Sequence, residues 1–139
     1  MKKLLFILSF LLFMNACFAQ MPAANENQDV GKLYANPENP PSFPGGESTW
    51  QTFIDSTLDK NIPAENGAPA GIYTVTARFI VGMDSVVTDV GCENDPGYGM
   101  CPQAILLIRK SGKWKPATQK GRIVNAYKRQ PIVFTIVKR

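Results

Sequence analysis

The side chains with the widest chemical scope in this 139-residue chain are two nearby cysteines, the carboxylates around them, and a tryptophan set between lysines. Cys92 and Cys101 have eight residues between them, which is not the Cys-x-x-Cys spacing of a dithiol redox centre. A structural disulfide is the expected use. Closing a loop of ten residues stabilises a fold by roughly 2–3 kcal/mol on the chain-entropy estimate. Asp84, Asp89, Glu93 and Asp95 gather loosely in the same stretch but lack the remaining ligand spacing of a calcium loop, so they read as turn and surface residues. The chain has no histidine, which removes Ser-His and Cys-His nucleophiles and every histidine-ligated metal. Gly45-Gly46 and Gly97-x-Gly99 lack the strand-then-Lys setting of a phosphate loop and read as turn glycines. The expectation is a protein that is not an enzyme and holds neither metal nor cofactor.

Lys113-Trp114-Lys115-Pro116 offers two uses. An indole between two ammonium groups can stack on a ligand or make cation–π contacts. It can also plug the gap between a helix and a sheet while the lysines stay in water. The plug is the expected role, because a large aromatic contributes mainly buried area.

The elements that must position these groups follow from the hydrophobic period. After Pro41-Ser42-Phe43-Pro44-Gly45-Gly46, apolar residues fall at Trp50, Phe53, Ile54 and Leu58, one face of a helix. Ser48-Thr49-Trp50-Gln51 has capping-box spacing, with Gly46 as the alternative cap. Asn61, Pro63 and Asn66-Gly67 end that helix in a loop. From Gly71 the period becomes two: Tyr73, Val75, Ala77, Phe79 and Val81 share one face, and Thr74, Thr76 and Arg78 the other. Gly82-Met83-Asp84-Ser85 is a turn, and Val86–Val90 returns as the second strand of a hairpin. A second helix opens near Pro102 and stops at Gly112, with Ala104, Ile105, Leu107 and Ile108 toward the sheet and Leu106 outward. The last strand spans about Arg122 to Val137. Val124, Ala126, Gln130, Ile132, Phe134 and Ile136 share one parity, and Tyr127, Arg129, Pro131 and Val133 the other. Pro131 lacks an N–H, which confines its strand to a sheet edge or a bulge. The predicted fold is α+β, a three-stranded antiparallel sheet with two helices packed on one face.

The N-terminal residues read as a secretory signal over 1–19: Lys2 and Lys3, an apolar run from Leu4 to Met14, and small residues ending at Ala19. An uncleaved anchor and lipidation at Cys17 are the alternatives, and only these would associate the chain with a membrane. Residues 20–40 lack apolar periodicity and read as a flexible tether, leaving 41–139 as one domain. Without Lys2 and Lys3 the fifteen basic residues become thirteen, against eleven acidic ones. Every acid lies at or before Asp95, and every one of the ten charges after it is basic. Such a gradient can steer an acidic partner or membrane surface, or the two halves can interleave in the fold and largely cancel; with export, nucleic acid is not the expected partner.

Taken in order, the Phe43-Pro44-Gly45-Gly46 turn, the hairpin pattern and the Trp114/Pro116 pair before a long last strand resemble the TonB C-terminal domain family. The resemblance covers about Pro41 to Val137. It implies that Phe43, Pro44, Gly45, Gly46, Trp114 and Pro116 are structural. It also implies a protein-binding role in transport within the periplasm and cell envelope: the last strand pairs with an extended peptide of an outer-membrane TonB-dependent transporter or similar envelope protein. The contact strand so implied is Asn125, Ala126, Tyr127, Lys128, Arg129, Gln130 and Ile132. A membrane-anchored energy-transducer component, or a homodimer built through the same edge strand, are the alternative readings.

Overall fold

The computed structural model describes residues 30–138, so the signal segment 1–19 with Cys17 lies outside the described residues. Eight elements follow one another: β1 (Leu33–Tyr34), α1 (Glu47–Thr57), α2 (Ile62–Glu65), β2 (Gly71–Val81), β3 (Val87–Cys92), α3 (Met100–Lys110), β4 (Ala117–Gln119) and β5 (Arg122–Ile136). The class is α+β as predicted. The strands β3, β2 and β5 form the expected antiparallel unit, with β5 next to β2. The sheet is larger than three strands and is mixed, because β1 joins β5 in parallel and β4 pairs with the start of β5. Both additions are too short for a period to show. Residues 33–34 thus give the stretch read as a tether a fixed partner, and Asn39 continues it with reciprocal backbone bonds to Thr118 at 3.1 and 3.0 Å.

The main core lies between the helices and a single sheet face, and a small second cluster of Ala117, Val124 and Ala126 lies under Tyr34. Val75, Ala77, Phe79 and Val81 from β2 and Ile132, Phe134 and Ile136 from β5 meet Trp50, Ile54 and Leu58 of the first helix region and Met100, Ala104, Leu107 and Ile108 of α3. Leu106 points out, 44% exposed, as its helical phase requires. Gly46, not Ser48, caps α1, and Thr49 Oγ1 donates back to Gly45 O at 3.1 Å. Gly45 is needed twice over: its φ is +89°, and a Cβ there would lie 2.6 Å from Thr49 Oγ1. α2 sits inside the segment read as loop, with Pro63 in its first turn.

Trp114 fills the helix–sheet gap. It is 1% exposed, its ring lies 5.0 Å from Phe79, 5.3 Å from Trp50 and 5.5 Å from Phe43, and its Nε1 donates to Ser111 Oγ at 2.8 Å. Trp50 Nε1 is buried with no acceptor among the described residues; its ring neighbours are Phe43, Phe53 and Trp114.

Cys92 and Cys101 sit at disulfide distance, their sulfurs 2.12 Å apart, joining the end of β3 to the first turn of α3. Replacing both by serine is expected to lower unfolding free energy by roughly 2–3 kcal/mol, read from the urea midpoint. An unchanged midpoint would mean that the bridge restrains nothing the unfolded chain would otherwise explore.

Candidate functional site

The four acidic side chains near the cysteines do not converge. Asp84 Oδ1 accepts Val86 N at 3.1 Å and Asp95 Oδ1 accepts Gly97 N at 2.8 Å, each closing its own turn. Asp89, at φ 53°, is in the one-residue slip where β3 bulges against β2. Glu93 pairs with Arg129 on β5. Among the described residues no three metal-ligating groups gather, and no helix is long and apolar enough to cross a membrane.

What remains is a sheet edge. Which backbone groups of β5 reach it follows from β2. Thr76 O accepts Glu93 N at 2.9 Å, Thr76 N donates to Asn94 Oδ1 at 2.8 Å, and Thr74 O accepts Asn94 Nδ2 at 2.7 Å. Thr74 and Thr76 therefore turn their backbones away from β5. In an antiparallel ladder hydrogen-bonded and non-bonded pairs alternate, so their partners Val133 and Pro131 also turn away from β2. The bonded pairs are then Tyr73–Phe134, Val75–Ile132, Ala77–Gln130, Phe79–Lys128 and Val81–Ala126. Pro131 thus costs the fold no ladder bond: its missing N–H would have pointed outward.

The other end of β5 has the same phase. Lys120 and Gly121, at φ 50° and 75°, form a two-residue turn that makes Gln119–Arg122 the closing bonded pair of the β4–β5 hairpin. Arg122 and Val124 thus face β4 with the parity by which Lys128 and Gln130 face β2. β4 and β2 lie along one side of β5. On the opposite side only β1 pairs among the described residues, at Asn125 and Ala126, and beyond that point the edge is open to Thr135.

The residues implied as a contact strand divide accordingly. Asn125 is committed within the fold: it is level with Leu33, its Oδ1 accepts Met83 N at 2.8 Å and its Nδ2 reaches Lys32 O at 3.5 Å. Ala126, Lys128, Gln130 and Ile132 bond toward β2, and the side chains of Ala126 and Ile132 are buried. Tyr127 and Arg129 face outward. Pro131, Val133 and Thr135 complete the edge, and the sequence reading of the site did not include them. Their signal was Pro131 itself, which fixes the parity of outward amides once an edge is assumed.

Side chains give the edge a polar and an apolar half. The Arg78 guanidinium lies over the Tyr127 ring, 4.6 Å from its centroid, and Glu93 holds Arg129. Lys128 is half-buried and has no ion-pair partner among the described residues. Toward the C-terminal end, Val133 is 53% exposed, diagonal to Ile72 at 75% on the same uncovered sheet face. An unpaired strand edge of this kind exposes the backbone groups with which an extended segment can pair. Comparisons of this chain with protein-family models, curated proteins and solved structures give no match.

Proposed function

We propose that this chain is a non-enzymatic binding module of the TonB C-terminal-domain type, which takes up an extended segment of an outer-membrane transporter or similar envelope protein as an added strand along β5. The observation that carries the reading is the edge from Arg129 to Thr135, unpaired among the described residues, a row of outward backbone groups on a strand whose other side is fully paired. On this reading β3-β2-β5 with α1 and α3 is the TonB C-terminal-like unit, and Phe43, Pro44, Gly45, Gly46, Trp114 and Pro116 set its fold. Lys128, without an ion-pair partner among the described residues, favours a carboxylate on the incoming segment. Signal cleavage and a periplasmic location belong to the same proposal, and an uncleaved or Cys17-lipidated form would make the module membrane-anchored.

Amide hydrogen exchange tests it residue by residue. In the chain alone, the amides of Lys128, Gln130, Ile132 and Phe134 are expected to exchange slowly and those of Arg129, Val133 and Thr135 fast. Adding extended peptides taken from transporter N-termini is expected to slow the fast set and leave the slow set unchanged. If those three amides stay fast at millimolar peptide, strand addition at this edge is excluded.

A further inference from the structure

We infer that Pro131 makes this edge accept a strand from a different protein and refuse β5 of a second copy, an inference that rests on the strand-addition reading. Two copies of one edge meet about a two-fold axis, so each residue i facing j is matched by j facing i, and every defect in the edge counts twice. The outward positions open to pairing are Arg129, Pro131, Val133 and Thr135. A two-fold antiparallel register that uses more than Val133 and Thr135 brings in both prolines. In the register of fullest overlap Arg129 faces Thr135 and Pro131 faces Val133, so the carbonyls of both Val133 residues lose their donor. In the register centred on the proline the two rings face each other, and the central pair has no bond at all. A foreign strand meets Pro131 once and is short of a single donor.

Two further features act in the same direction. The Pro131 carbonyl, which can still accept from outside, is already touched by Gln130 Nε2 at 3.4 Å. All charged residues of β5 and of the tail after it are basic, so self-pairing places Lys128 and Lys138 of each copy along one seam. A foreign strand carries no such requirement and can bring carboxylates. The same proline leaves the folded monomer intact, because its nitrogen faces away from β2 in a non-bonded pair with Thr76.

The test is the association state of the Pro131→Thr variant of the full chain, by sedimentation equilibrium, with amide exchange to locate the contact. Restoring one donor in each copy is expected to raise the self-association constant about tenfold or more. Arg129, Val133 and Thr135 amides should become protected with it, while the natural chain stays monomeric with those amides fast. If the variant precipitates, Pro131→Thr with Val133→Lys decides: recovery of a soluble monomer supports pairing through this edge, and continued precipitation counts against it. The inference is overturned by a variant that remains monomeric at millimolar concentration, by protection that appears elsewhere, or by a natural chain already paired through this edge. Peptide titration of the natural chain is read separately. A variant that self-pairs while no peptide protects the edge would sink the transporter reading and leave the role of Pro131 standing.

Discussion

Arg129→Pro is expected to weaken peptide uptake by roughly 10–100-fold while leaving unfolding free energy within about 1 kcal/mol of the natural chain. The nitrogen of Arg129 faces the edge left unpaired among the described residues, so the proline removes a donor that an added strand would use and puts its ring where that strand would lie. The fold loses the ion pair with Glu93, whose partners are about half and one third exposed, and pairs of that kind contribute about 0–1 kcal/mol. Lys128→Pro, one residue away, should do the opposite. Its nitrogen bonds toward Phe79, which is fully buried, and an orphaned carbonyl there costs about 1–3 kcal/mol before any ring clash is counted. Arg129→Ala separates charge from backbone: it keeps the N–H and should lose only a small, salt-dependent part of the affinity. The measurements are peptide affinity by calorimetry and stability by urea unfolding on all three variants. Equal loss of affinity in the proline and alanine variants would show that the guanidinium, not the backbone, carries binding.

That contrast could not be drawn from side-chain pattern alone. Alternation along β2 and β5 shows which side chains face the core, and Val75, Phe79, Ile132 and Phe134 are buried as their parity requires. It does not show which of the alternating amides face the edge, because that depends on which neighbouring strand takes which bonds. Pro131 marks that parity only if its strand is taken as an edge; Asn94 settles it by capping Thr74 and Thr76 where β3 has already ended, a tertiary contact with no local signature. α1 and α3 were legible because each carries a full apolar face, whereas the four residues of α2 are too few to show one, and the turn at Gly45-Gly46 had glycine to mark it. β1 was not, since Leu33–Tyr34 is two residues among polar and proline neighbours and exists only because Asn125 and Ala126 offer it an edge. β4 was not legible either: it is three residues long, and its turn places Lys120, not Asn, Asp or Gly, at φ 50° before Gly121, so the usual hairpin dipeptide is missing. The bulge at Asp89 relies on a residue type that tolerates the left-handed region, and nothing in the alternation of Val86–Val90 announces it.

Trp114→Ala is expected to destabilise the chain by about 3–5 kcal/mol, a large part of the roughly 5–15 kcal/mol that holds a domain of this size together. The side chain is 1% exposed and packs against rings from three separate places: Phe43 before α1, Trp50 on α1 and Phe79 on β2. No one neighbour can move into the space without leaving the others, so the site collapses poorly and the cavity cost adds to the lost transfer energy. The backbone is tied as well, Trp114 N donating to Ser85 O at 3.1 Å in the β2–β3 turn. The Ser111 hydroxyl loses the indole but keeps its own bond to Ile108 O at 2.5 Å, which limits the polar part of the damage. Lys113→Ala and Lys115→Ala should each stay within about 0.5 kcal/mol, since both side chains are exposed. Urea unfolding supplies the comparison, and peptide affinity of the molecules that remain folded supplies the second axis. A plug costs stability and spares affinity, because the indole is buried away from the β5 edge. A Trp114→Ala chain of near-natural stability that no longer takes up peptide would make the indole part of the binding surface and overturn the structural role assigned to it.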